Sequence, residues 1–163
     1  MADLEGSYIN EADTLAYFTG DPRATAFVAL AGEVAWYLRK ATKVIDALPL
    51  RGHKYMLDGS QARQFPREYR DGYDMNLLTG YAEVPQCVLD ACCEEALEIF
   101  RFLADTNSTD RRTMKEQGVK STTQGSDYSE TLGPGNEEKH YGLKSSEAYL
   151  LLASHIARSF PIV

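Results

Sequence analysis

Basic charge is scarce in this chain. Lysine and arginine together number 17 against 24 acidic residues, for a net charge of −7 and a pI near 5.0. Nucleic-acid binding by phosphate neutralisation draws its affinity from counterion release and calls for a basic surface, so composition argues against it. An acidic protein can still surround DNA without gripping it, because repulsion keeps a polyanion off a channel wall. Long apolar runs are missing as well: none approaches the roughly 18–20 residues of a membrane helix, so no membrane is expected as a partner. The opening Met1-Ala2-Asp3-Leu4-Glu5 is acidic and has no apolar core. No secretory signal is expected from it, which implies an intracellular origin.

Cysteine is limited to Cys87, Cys92 and Cys93. An odd number on one predicted helix cannot form a disulfide framework, and adjacent thiols cannot staple distant segments. His53, His140 and His155 are too scattered to complete a metal set, so buried thiols acting as small hydrophobes are the expectation, with no metal and no cofactor. The phosphate-cradling Gly-x-x-x-x-Gly-Lys, the dinucleotide Gly-x-Gly-x-x-Gly, the Gly-x-Ser-x-Gly elbow and His-Glu-x-x-His are all absent. In the glycine-rich Gly133-Pro134-Gly135, the proline removes a backbone donor and spoils an anion nest. Cys87 with His53 or His155 would form a nucleophile pair only by an accident of folding. No catalytic residues are assigned, and an enzyme is not expected.

The 163 residues, 44% of them hydrophobic, suit one domain with a core of its own. Asn10 reads as the N-cap of a short helix to Phe18, with Gly20 after its end. Asp21-Pro22 opens what reads as a long helix, with Phe27, Leu30, Ala31, Val34, Leu38, Ala41, Ile45 and Leu48 stepping by three and four until Pro49. Arg39, Lys40 and Lys43 lie near its C-terminal end, where positive charge opposes the helix dipole. A second strong helix spans Pro85 to Ala104. Val88, Cys92, Ala96, Ile99 and Leu103 form one apolar line, and Asp90, Glu94, Glu98 and Arg101 form a stripe expected to face solvent. A last helix is capped by Ser145 or Ser146 and runs to about Arg158, with His155 on its apolar face as a packing residue.

Between these helices, Leu50 to Glu83 reads as an irregular connection whose aromatics fold back onto the helices. Its other reading, in which Arg63, Arg67, Arg70 and the tyrosines stack on single-stranded bases, is weakened by interleaved Asp58, Glu68, Asp71 and Asp74. Asp105 to Asn136 is polar, and within it two short strands flank a turn at Gly125-Ser126. A hairpin so poor in apolar side chains is marginal alone and is expected to order against another chain. The extended Phe160-Pro161-Ile162-Val163 tail either seals its own core or enters a neighbour. The fold class is therefore mainly α: a small bundle of about four helices, two of them long, over residues 7–104 and 145–158, with a protruding hairpin arm at about 115–133 and an extended tail. Candidate partner-binding residues are Val119, Lys120, Ser121, Tyr128 and Leu132 on the hairpin and Phe160, Pro161, Ile162 and Val163 at the end.

Several segments in order carry a family resemblance: Ser7-Tyr8-Ile9-Asn10-Glu11-Ala12-Asp13 with Tyr17-Phe18, Ala41-Thr42-Lys43-Val44-Ile45-Asp46, Gly52-His53-Lys54, Phe65-Pro66-Arg67, Val84-Pro85-Gln86-Cys87-Val88-Leu89-Asp90-Ala91 and Gly118-Val119-Lys120-Ser121. Together they resemble the head–tail connector (adaptor) proteins of tailed bacteriophages, in a subgroup labelled DnaT-like single-stranded DNA-binding proteins. Phe65 stands where that family usually has Trp, and the loops at 68–83 and 134–144 look longer. The resemblance implies a virion protein in the phage neck, assembled in the host cytoplasm. It would form a homo-oligomeric ring, most often a dodecamer, between the portal protein and a downstream stopper or tail-tube protein, with DNA passing through the channel. Rings use two different, matching surfaces of each subunit. The alternative is the one the subgroup label states: a DnaT-like single-stranded DNA-binding replication accessory protein.

Overall fold

Asn10 begins the first helix as its sequence suggests. Its side-chain oxygen accepts the Asp13 N–H at 2.8 Å and caps α1, Glu11–Tyr17, with Glu11 and Asp13 in the first turn. This computed structural model describes residues 6–30, 32–56, 60–70, 72–75, 81–104, 121–124, 128–131 and 141–157. Asp21 accepts the Arg23 N–H to start a 3-10 turn, Pro22–Ala24, which leads into α2, Thr25–Val28.

The long helix expected from Asp21-Pro22 to Leu48 is instead broken. After α2 the chain turns through Leu30 to Glu33, with Gly32 at φ +87°, and restarts as α3, Val34–Asp46. A left-handed residue cannot continue a right-handed helix, and glycine accepts that conformation without a Cβ penalty. The Glu11 carboxylate accepts the freed Gly32 N–H at 2.8 Å. The apolar periodicity runs across the break because Phe27 before it and Val34 and Leu38 after it are all buried in one core. Periodicity reported burial here, not continuity.

The connection from residue 50 to 83 is also more ordered than expected. β1 (His53–Lys54), β2 (Arg67–Tyr69) and β3 (Gly72–Tyr73) form an antiparallel sheet in the order β1-β2-β3, with His53 opposite Glu68 and Glu68 opposite Tyr73. Gly52 makes this possible: a Cβ there would stand 2.2 Å from the Glu68 carbonyl oxygen, and its φ is +70°. As expected, aromatics fix the segment to the helices. Phe65 is buried edge-on to Tyr8 at 6.0 Å and to the His155 ring at 5.3 Å.

α4, Gln86–Ala104, lies at the centre of the fold, packed against α3, α1 and the last helix. The stripe expected to face solvent is therefore covered in part. Glu94 is buried, and so is its neighbour Glu95. That last helix is α5, Ser146–Leu152, capped by Ser145, whose Oγ accepts the Ala148 N–H at 3.1 Å. It stops short of the expected Arg158 because the following backbone pairs elsewhere: the Arg51 N–H donates to His155 O at 2.8 Å and the Ala157 N–H to Pro49 O at 2.7 Å. The expected hairpin is present as β4 (Ser121–Gln124) and β5 (Tyr128–Thr131), with Ser121 opposite Thr131 and Gln124 opposite Tyr128. Among the described residues the fold is mainly α, with five α-helices, one small antiparallel sheet and one hairpin.

Candidate nucleic-acid interface

α3 has two chemically different sides. Val34, Leu38, Ala41, Thr42 and Ile45 are buried, and the same helical repeat turns Trp36, Lys40 and Lys43 outward at i, i+4 and i+7. Trp36 keeps 42% of its surface exposed, and Lys40 places its Nζ 5.2 Å from the centre of the indole ring. The ring is also held from behind. Tyr37 meets it edge-on at 4.9 Å and in turn packs on Phe27 and Phe100. Arg39 sits beside these residues, half-buried. From Trp36 to Lys43 the stripe extends about 10 Å along the helix axis.

Its electrostatics depend on which carboxylates are absent. Among the described residues, no Asp or Glu lies within ion-pair distance of Arg39, Lys40 or Lys43. Asp46, the acid that ends α3, is already engaged by the Tyr8 hydroxyl, the Gln64 N–H and Arg63 at 3.5 Å. The exposed Glu33 precedes Lys40 by about 10 Å of helix.

Much of the acidity lies elsewhere. Arg23 gathers Asp21 at 2.7 Å, Glu147 at 2.8 Å and Glu94 at 3.2 Å. The Arg23 contact holds Glu147 below the usual carboxylate range, while burial pushes Glu94 above it. Glu95 is fully buried, and that burial raises its pKa to about 7 against the pull of the Lys144 and Ser145 backbone N–H groups, which donate to Oε2 at 3.0 and 2.9 Å. Glu94 and Glu95 therefore present little or no charge to solvent.

Of the three arginines suggested for base stacking in the 50–83 segment, Arg63 and Arg67 have other roles. Arg67 is buried and donates to the carbonyls of Arg51 at 2.6 Å and Gly52 at 2.7 Å, which ties β2 to the preceding turn. Arg63 reaches the Gly6 carbonyl and Asp46. Arg70 is exposed, and Tyr55 and Tyr73 lie against each other at 5.0 Å.

Of the residues assigned to partner contacts, Ser121 and Tyr128 fall on the paired hairpin strands, at opposite ends of its register. Val119, Lys120, Leu132, Phe160, Pro161, Ile162 and Val163 lie outside the described residues. Sequence reasoning read Arg39, Lys40 and Lys43 only as partners of the helix dipole. The missed signal was Trp36, the one tryptophan in the chain, a single helical turn before Lys40. The pairing treated as an accident of folding is real: Cys87 Sγ lies 3.3 Å from His155 Nε2. Among the described residues no group of three or more His, Cys, Asp or Glu side chains is placed to hold a metal ion, and no helix is long and apolar enough to cross a membrane.

A surface stripe of one aromatic and three cations is the kind of site that single-stranded nucleic acid uses. Residues 3–135 match the family described as Putative DnaT-like ssDNA binding protein, and the chain belongs to that family. No curated protein and no solved structure matches it. This family assignment corrects the resemblance drawn to head–tail connectors: it is not a connector family, and it supports the single-stranded DNA alternative in place of a ring under the portal, a DNA channel or a place in the virion neck. Several of the segments that suggested a connector, such as those opening α1 and α4, are helix starts and apolar repeats, which follow from packing and do not specify what a helical domain binds.

Proposed function

We propose that this protein binds single-stranded DNA, as a DnaT-like replication accessory, through the outer face of α3. The observation that carries the proposal is the exposed Trp36 ring with Lys40 over it and Arg39 and Lys43 alongside, none of the three cations engaged by a described carboxylate. Trp36 supplies a stacking platform for one base, worth roughly 1–3 kcal/mol, and accepts any base because each has a π-face. The three cations meet phosphates and release their counterions. Membership of the family supports the same reading.

The acidic composition limits affinity without deciding where DNA binds. At physiological ionic strength charges further apart than about 8 Å are largely screened, so a phosphate on α3 responds to the local cations more than to distant carboxylates. Duplex DNA, with one charge per about 1.7 Å and its bases stacked inside, is repelled more and offers Trp36 no face. The test is fluorescence anisotropy with a labelled homopolymeric single strand and its duplex, at low salt, on the wild type and on Trp36→Ala. The expected result is binding of the single strand only, weakened about tenfold or more by the substitution. Equal affinity for both DNA forms, or no response to Trp36→Ala, would refute the assignment.

A further inference from the structure

A second group of functional side chains uses none of the α3 stripe. Cys87, in the first turn of α4, meets His155, which follows α5, with Sγ 3.3 Å from Nε2. On the other side of the ring, His155 Nδ1 lies 2.8 Å from the Tyr69 hydroxyl, and that hydroxyl lies 3.2 Å from Asp74 Oδ2. Asp74 also accepts the Arg67 N–H at 2.8 Å, which fixes it in the sheet.

The direction of each bond follows from the chemistry of its ends. A carboxylate has no proton to give, so Tyr69 O–H donates to Asp74, and the phenol oxygen then accepts from His155 Nδ1–H. A neutral imidazole carries one proton, so Nε2 keeps its lone pair, and that lone pair faces the Cys87 thiol. The result is a nucleophile, a base and a group that orients the base, drawn from α4, the segment after α5 and the sheet. His155 and Asp74 line a cleft of about 620 Å³ together with Tyr73, Val84, Pro85 and Leu89. Cys87 is not itself part of that lining: it is half-buried beside the cleft, next to Gln86, which does line it, and it reaches the cleft through its contact with His155.

At rest both partners are neutral. Burial, and then the charge of Asp74, push the Cys87 thiol up, while the Cys87 and Val88 backbone N–H groups pull the other way. Burial lowers His155, opposed by Asp74 and reinforced by Arg51 and Arg67. Cys92 and Cys93 differ from Cys87 in access: both are fully buried where Cys87 is half-buried, and burial raises all three thiols, Cys92 to about 11.

We propose that Cys87 is a site of reversible covalent modification, with His155 as its base and a low-molecular-weight disulfide as its substrate. The S–H bond breaks as its proton passes to His155 Nε2, and the freed sulfur pair forms a new S–S bond to one sulfur of the incoming disulfide. The disulfide's own S–S bond breaks, and the departing thiolate takes the proton back from His155. Cys87 is oxidised to a mixed disulfide and half of the reagent is reduced to a thiol, so no further reactant is needed. Exchange at sulfur develops charge only on sulfur and requires no oxyanion-binding pair, which suits a site built from a thiol, an imidazole and a cleft.

The test treats the full-length protein with oxidised glutathione and follows intact mass and peptide mapping over time across pH. The expected product carries one adduct, on Cys87, with Cys92 and Cys93 unmodified, and its rate is level between the titration of His155 and that of the thiol. In His155→Gln the rate at neutral pH falls at least about tenfold and climbs with pH instead of levelling. Tyr69→Phe, which keeps the ring and removes the hydroxyl that orients His155, is expected to slow the reaction as well, and it decides the matter if His155→Gln does not fold. The proposal is overturned if the folded protein takes no adduct, if Cys92 or Cys93 reacts alongside Cys87, or if rate and pH profile are the same in wild type and variants.

Discussion

Trp36 and Glu95 show how little sequence context says about a side chain until its surroundings are known. Trp36 looks like a core residue by type, yet it is 42% exposed with a cation over its ring. More than half of its surface is nonetheless covered, by Tyr37 among others, so Trp36→Ala should cost about 1 kcal/mol of folding stability and leave the protein folded while weakening single-strand binding, a separation that thermal melts and binding curves on the same sample would show. Glu95 is the converse, a charged residue type with no exposed surface. Its carboxyl is raised from 4.5 to about 7 by burial, so the folded state holds this proton more tightly than the unfolded chain does. The sign follows: between about pH 4.5 and 7 the native protein binds more protons, and this group's contribution falls as pH rises through that window, by up to about 3 kcal/mol. Glu95→Gln keeps an oxygen for the Lys144 and Ser145 N–H groups and removes the titration. Urea melts should show the variant more stable than wild type at pH 8 and lacking that slope.

At the scale of elements, the helices were largely legible and the bends between them were not. Asn10, Ser145 and the proline ahead of Gln86 announce the starts of α1, α5 and α4, because an end group and its cap are neighbours in sequence. The break before α3 was hidden because the apolar repeat on its two sides faces one core, so only Gly32 marked it. The three-stranded sheet was missed for another reason. Its strands are two or three residues long, and its stability comes from Arg67 reaching the Arg51 and Gly52 carbonyls, contacts across 15 residues or more that no local pattern encodes. Gly52→Ala tests the sheet directly. The new methyl would meet the Glu68 carbonyl at a positive φ, and a loss of about 2 kcal/mol or more is expected by chemical denaturation. The candidate interface was legible only in part: the spacing of Trp36, Lys40 and Lys43 stood in the sequence, but that the Trp36 ring stays exposed instead of joining the core depended on tertiary packing.

At the scale of the whole molecule, an acidic chain whose family is described as DnaT-like and ssDNA-binding poses a conflict that the proposed α3 site meets by acting locally. Glu94 and Glu95 are buried on α4, Asp21 and Glu147 are paired with Arg23, and α3 carries Lys40 and Lys43 outward. The central claim is that this one face, and not net charge, decides binding. Because Trp36 is the only tryptophan, its fluorescence reports the site without a label. The most direct measurement titrates unlabelled single-stranded DNA against that fluorescence over a range of salt concentrations. Three phosphate contacts at about 0.7 counterions each predict quenching with a log–log salt slope near −2, reduced by about 0.7 in Lys40→Gln and again in the Lys40→Gln, Lys43→Gln pair. Fluorescence that stays constant while DNA binds, or a slope that neither substitution changes, would contradict the account.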